Sequence, residues 1–183
     1  MMKLFAVYLG GRAPKCNTEL HDVVFVTGET IADTYEQLMD KWFGTQDDLH
    51  LDSYVEVDVV DGYRIGLSET KTEADVRLFF VNLGAYKDGE FTEYHANKLL
   101  ISDCLPNAKK RAKSEMLTGW GSPVHTDDLY DVDDCIEVAQ VGKLYVTLTK
   151  TGEVSTAKPT NGYHLVPKGI VEEYMKRHAT KAA

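Results

Sequence analysis

Slid along itself by 74 positions, this chain of 183 residues meets its own pattern. Lys3-Leu4-Phe5-Ala6-Val7-Tyr8-Leu9-Gly10 falls on Arg77-Leu78-Phe79-Phe80-Val81-Asn82-Leu83-Gly84, and the register runs without a gap to Val26 and Leu100. Eight of those 24 pairs are identical, where average residue usage predicts roughly one or two. After one inserted residue, His50-Leu51-Asp52 meets His125-Thr126-Asp127, and Glu56-Val57-Asp58 meets Asp131-Val132-Asp133. The period is too long and the copies too few for a solenoid. The pattern predicts an internal duplication of one small domain.

Each copy reads as strand, strand, helix, strand, strand. Residues 3 to 9 are apolar and β-prone, and Gly10-Gly11-Arg12-Ala13-Pro14 ends them in a loop. Residues 21 to 27 form a second strand, stopped by Gly28. Thr30 caps a helix, with Asp33 as its partner three residues on. Ile31, Tyr35, Leu38, Met39 and Trp42 then share one helical face, which places Trp42 and Phe43 under the first sheet. Gly44 suits the C-terminal position. Leu51, Val55, Val57 and Val59 alternate with polar residues as in a half-buried strand, and Asp61-Gly62 signals a two-residue hairpin. In the second copy the helix covers about residues 104 to 117, with Pro106 in its first turn. The fold class is therefore α+β, two ββαββ units related by a pseudo-twofold axis. Residues 1–69 form the first repeat, 70–76 a polar linker, 77–150 the second repeat, and 151–183 a C-terminal loop and helix.

The stretches "KLFAVYLGGRAPKCNTELHDVVFV" and "LHLDSYVEVDVVDGYRIGLSE" resemble a small bacterial family known only as a domain of unknown function, with one or two copies per chain. The likeness spans both halves, about residues 3 to 69 and 77 to 150, and is most specific in the first. The second half departs from it where Ala85 replaces Gly11 and through the rewritten loop 86 to 91. The resemblance implies a two-copy architecture and a bacterial origin; it carries no activity and no catalytic residues with it.

Charge and composition narrow the function classes. Twenty basic against 29 acidic residues give a net charge of -9, which repels phosphate backbones and argues against nucleic-acid binding. The clusters Lys109-Lys110-Arg111-Ala112-Lys113 and Lys176-Arg177-His178 lie in helical pattern and read as solvated faces. With 43% hydrophobic residues there is material for a proper core. The N-terminus lacks the layout of a signal peptide, and no run approaches the ~20 apolar residues that cross a bilayer, so no membrane role is expected. Cys16, Cys104 and Cys135 have neither disulfide-framework nor zinc-ribbon spacing, which suits a reducing cytoplasm.

Chemistry-bearing residues recur with the repeat. Glu19 and His21, and again Glu93 and His95, stand two apart on a strand, so each carboxylate shares a face with its imidazole. A carboxylate beside an imidazole suits general base catalysis or a metal site. Two such pairs meeting across the pseudo-twofold would make one composite catalytic site; the plainer alternative is that each His ties the preceding loop to its strand. His50 and Asp52, with His125 and Asp127, form a second same-face pair, which extends an outward polar stripe or binds a ligand. The acidic run 127–134 lacks the glycine and terminal glutamate of a calcium loop. Arg12 follows a strand without opening a helix, so "LGGRAP" is no phosphate loop, yet Arg12 and the neighbouring Tyr8 are candidates to hold an acidic small molecule. Cys16 reads as a plain loop cysteine, since its counterpart is Glu90. The sequence assigns no metal and names no cofactor. The favoured expectation is a module that binds a small molecule or a protein partner, with a homodimer left open. The alternative is a hydrolase or metal-dependent enzyme built on Glu19, His21, Glu93 and His95.

Overall fold

The computed structural model describes residues 1–86, 88–116 and 131–179. The chain opens with β1 (Lys3–Gly11) and β2 (Leu20–Gly28), then a 3₁₀ turn (Ile31–Thr34) running into α1 (Tyr35–Lys41) and β3 (His50–Glu56). A hairpin of β4 (Val59–Val60) and β5 (Tyr63–Ser68) follows, then β6 (Arg77–Tyr86), β7 (Glu93–Ser102) and α2 (Leu105–Met116). The remainder is β8 (Asp131–Glu137), a hairpin of β9 (Gln140–Val141) and β10 (Leu144–Lys150), β11 (Thr160–Leu165) and α3 (Lys168–Ala179). This is an α+β fold of antiparallel sheets with a C-terminal helix.

Two compact units share the chain, residues 1–58 with 156–183 and residues 59–155. In the first, the strand order is β11-β3-β1-β2. Alternation on β1 turns Phe5, Val7 and Leu9 toward the core, where they meet Val24, Val26 and Leu51. Leu38, Met39 and Trp42 supply the helical side of that core. Thr30 enters the helix as the sequence suggested: its backbone N–H and its hydroxyl both donate to Asp33, at 2.7 and 2.8 Å. Trp42 is buried and its indole N–H donates to the Thr45 carbonyl at 3.0 Å. Phe43, expected beside it, is instead 60% exposed. The helix has ended at Lys41 and Trp42 is already extended (ψ 126°), which swings the next side chain outward. Gly44 has a different task from the one expected. A Cβ there would stand 2.2 Å from the Arg12 carbonyl, so glycine admits the close approach that lets Thr45 N–H donate to Arg12 O at 2.7 Å.

The C-terminal segment completes this first unit. β11 pairs with β3, and Val166, Val171 and Tyr174 join the core. The Tyr174 hydroxyl donates to Asp40 at 2.8 Å; burial first, then that carboxylate, pushes the phenol up to about 12.

In the second unit, β7-β6-β8 form a three-stranded sheet under α2. Ala108 and Ala112, four apart and fully buried, let the helix settle closely on Phe79, Val81, Leu83 and Leu100. The hairpins make a second sheet, order β4-β5-β10-β9. The final strands of each sequence copy thus leave their own sheet and pair with each other, Leu67 against Val146 and Ile65 against Leu148. For this reason the compact units divide at residues 58 and 155 rather than at 69 and 77. Asp61 and Gly62 take φ +51° and +78°, the left-handed pair of a tight hairpin.

Register exposes one slip in the sequence comparison. Lys3 faces Gly28 and Arg77 faces Ser102, both 74 apart as read. In the third strand, however, Phe5 faces Glu56 while Phe79 faces Glu137, an offset of 81 rather than 75. A six-residue slip is even, so it preserves strand alternation and cannot be detected from hydrophobic pattern. The counterpart of His50 in the ladder is accordingly Asp131, since Gly10 faces the one and Gly84 the other. His125 and Asp127 lie outside the described residues.

Candidate functional site

One row across the first sheet places the chemistry. His21 of β2 faces Gly10 of β1, and Gly10 faces His50 of β3. Directly opposed residues project to the same side of a sheet, so two imidazoles flank a central position that has no side chain. That gap is required: a Cβ on Gly10 would lie 2.4 Å from His50 Nε2 and 2.6 Å from Asp52 Oδ2. Asp52 is the extra residue of a β-bulge, where Leu51 faces Leu9 and Ser53 faces Tyr8. Bulges re-aim side chains in this way.

Four side chains close around the row. His21 Nε2 stands 3.3 Å from Asp52 Oδ2 and 3.7 Å from Glu19 Oε2. His50 Nε2 stands 3.1 Å from Glu19 Oε1 and 3.4 Å from Asp52 Oδ1. Each imidazole therefore sits between the same two carboxylates. Their exposures differ sharply: His50 has none, whereas Glu19, His21 and Asp52 keep 42%, 38% and 29%. His50 Nδ1 lies 2.7 Å from the Asp48 carbonyl. Its Nε2, and Asp52 Oδ2, are enclosed and make no hydrogen bond. The ring of Tyr163 lies over His50 with centroids 4.0 Å apart, and Tyr8 stacks on His21 at 5.2 Å. Burial, with Asp52 adding to it, raises the Tyr8 phenol above its ordinary value. No three His, Cys, Asp or Glu side chains among the described residues are grouped so that they could hold a metal ion.

Two sequence candidates, Glu19–His21 and His50–Asp52, thus merge into one cluster. His50 is not part of an outward polar stripe but wholly buried, because β11 covers β3 and brings Tyr163 onto the ring. Arg12 is exposed, and it is the backbone carbonyl of this residue that Thr45 holds. Glu93 and His95 lie in the second unit, 3.5 Å apart, with His95 Nδ1 3.3 Å from Asn82 Oδ1. The matching row there runs His95, Gly84, Asp131, so it offers one imidazole where the first unit offers two. Sequence reasoning missed Gly10, the Asp48 carbonyl and Tyr163. Only Gly10 left a trace, as the glycine that the 74-residue self-comparison sets against Gly84.

An antiparallel sheet with a helix on its apolar face and a charged cluster on the other makes the first unit an α+β module, and the family described as Domain of Unknown Function (DUF1543) matches residues 16–67. The chain belongs to that family, and the matched stretch includes all four cluster residues. A solved relative, the protein Il1583 from Idiomarina loihiensis, is 39% identical, with the match covering 92% of this chain and 100% of the relative, at a TM-score of 0.72. No curated protein matches. No helix among the described residues is long and apolar enough to cross a membrane.

Proposed function

We propose that this is a bacterial, cytoplasmic ligand-binding module whose binding site is the Glu19–His21–His50–Asp52 cluster. One observation carries the reading: a fully buried histidine, His50, turns an enclosed ring nitrogen without a hydrogen bond toward two carboxylates. Buried polar groups are ordinarily satisfied, and an exception beside three solvent-reachable side chains marks a place for a ligand. Its chemistry follows from the donor set, which accepts hydrogen bonds or positive charge and repels anions. The test is thermal melting of the full chain against a panel of metabolites and metal ions, with His50→Gln alongside. At least one ligand is expected to raise the wild-type melting temperature and leave the variant's unchanged. A panel that shifts both proteins equally would overturn the reading.

A second reading, a hydrolase or other metal-dependent enzyme, is favoured by Tyr8, whose phenol stacks on His21 and is held protonated by burial and by Asp52. Such a phenol can donate a proton beside a general base. In this form the catalytic cluster is Glu19, His21, His50 and Asp52, with Glu93 and His95 outside it.

A further inference from the structure

The second unit carries a cavity that owes nothing to the cluster of the first. Its volume is about 330 Å³, at the lower end of the roughly 300–1,000 Å³ of small-molecule pockets. Every lining residue falls between 71 and 148, inside that one unit. The step from β8 to β9 supplies part of the lining and is tied on both sides. Val138 N–H donates to the Leu78 carbonyl at 2.8 Å, and Val146 N–H donates to the Ala139 carbonyl at 2.9 Å. The polar segment ahead of β6 supplies another part. Val138 is buried, and Val146 and Leu148, two apart on β10, add a half-buried apolar face.

Four charged side chains line the same cavity: Lys71, Glu73, Arg77 and Glu137. Among the described residues Lys71 and Glu73 make no side-chain hydrogen bond or ion pair. Arg77 Nε stands 3.7 Å from Glu137 Oε1, close enough to attract but too far for a hydrogen bond. The charges sum to zero. A purely anionic ligand would meet Glu73 and Glu137, and a purely cationic one would meet Lys71 and Arg77. Like charges brought together select against both. A molecule that carries one charge of each sign meets neither obstacle.

The spacing narrows the class further. An α-amino acid bears its carboxylate and its ammonium on one carbon, which suits a guanidinium and a carboxylate standing this near each other. The arginine fork matches a carboxylate with two parallel bonds, and a glutamate accepts from an ammonium. The apolar face beside them then takes an aliphatic side chain out of water. We propose that the second unit binds a free aliphatic α-amino acid, with its carboxylate on Arg77, its ammonium on Glu137 and its side chain against Val146 and Leu148. This site lies outside the Glu19–His21–His50–Asp52 cluster and does not rest on the reading given for it.

The experiment is calorimetric titration of the full chain with L-leucine, 3-methylbutylamine and 4-methylpentanoate. The amine is leucine without its carboxylate, and the acid is leucine without its ammonium. One equivalent of leucine is expected to bind, and each analogue about 10-fold or more weakly. Arg77→Gln and Glu137→Gln should each weaken leucine to the same degree, while His50→Gln should bind it as wild type does. Both altered side chains are partly exposed, 52% and 39%, and circular dichroism checks that each variant folds. If either does not, the analogue series decides, since it needs no substitution. No binding of leucine at millimolar concentration, an analogue that binds as tightly as leucine, or undiminished binding in a folded Arg77→Gln would each overturn the proposal. Leucine binding lost in His50→Gln and kept in Arg77→Gln would move the amino acid to the cluster and overturn the second site alone.

Discussion

Gly10 shows how one missing side chain sets the chemistry of its neighbours. It stands between His21 and His50 on adjacent strands, and adding a single methyl group would press on Nε2 from 2.4 Å. That distance is too short for any real contact, and the ring is fixed behind by Asp48. Gly10→Ala is therefore expected to destabilise the protein by about 1–3 kcal/mol through overpacking and to abolish binding at the cluster. Urea unfolding with the ligand-melting panel checks both; binding retained at wild-type strength would mean that the rings do not need the gap. Gly11 serves packing instead. A Cβ there would come within 2.8 Å of the Trp42 ring, so the glycine lets the indole pack against β1.

At the scale of elements, α1 is short and owes its place to the core it covers. Trp42, just past its end, fills the space between Gly11 and Gly44 and donates to Thr45. Trp42→Ala is expected to cost about 3–5 kcal/mol by leaving a cavity, measured by chemical unfolding; a loss below 1 kcal/mol would show that the loop 42–46 collapses into it. The β4–β5 hairpin is held by charge. Asp61 accepts both guanidinium arms of Arg111, at 2.6 and 2.8 Å, and the Ile101 N–H at 2.7 Å. Burial works to raise this carboxyl, but the Arg111 fork and the Ile101 N–H outweigh it and hold it below its ordinary value. A depressed carboxyl stabilises the fold above its unfolded pKa of about 3.9, and the contribution disappears as pH falls through the lower folded value. Asp61→Asn keeps a residue that tolerates positive φ and removes the charge. Its expected cost is about 1 kcal/mol at neutral pH, reduced by the partial exposure of Arg111. Wild type and variant should converge in urea unfolding as the pH falls through the folded carboxyl value; a gap that stays the same as the pH is lowered would refute the charge-based account.

For the molecule as a whole, the last segment of chain returns to the first unit. β11 covers β3, Tyr163 lies over His50, and Val166, Val171 and Tyr174 enter the first core. A chain ending at Ser155 would expose the β3 edge and open that core. Exposed edges and apolar faces invite association. Hydrogen exchange on the truncated chain is expected to show lost protection in β1, β2 and β3, with β6, β7 and α2 keeping theirs. Full protection of β1 to β3 would mean that the C-terminal segment is dispensable.

The sequence by itself determined the α+β class, the strand, strand, helix order at residues 3–41 and again at 77–116, and the paired Glu-x-His positions. These are local properties: period-two and helical spacing, turn residues and caps act within a few positions of the chain. It also named Glu19, His21, His50 and Asp52, though as two unrelated pairs. Tertiary structure decided which of them meet, because the meeting depends on a cross-strand row through Gly10 and a bulge at Asp52. It decided the third-strand register too, since slips of 75 and 81 positions satisfy the same alternation and only the ladder distinguishes them. And it decided where β5, β10 and β11 belong, for an edge strand carries no mark in its own residues of the neighbour it will hydrogen-bond.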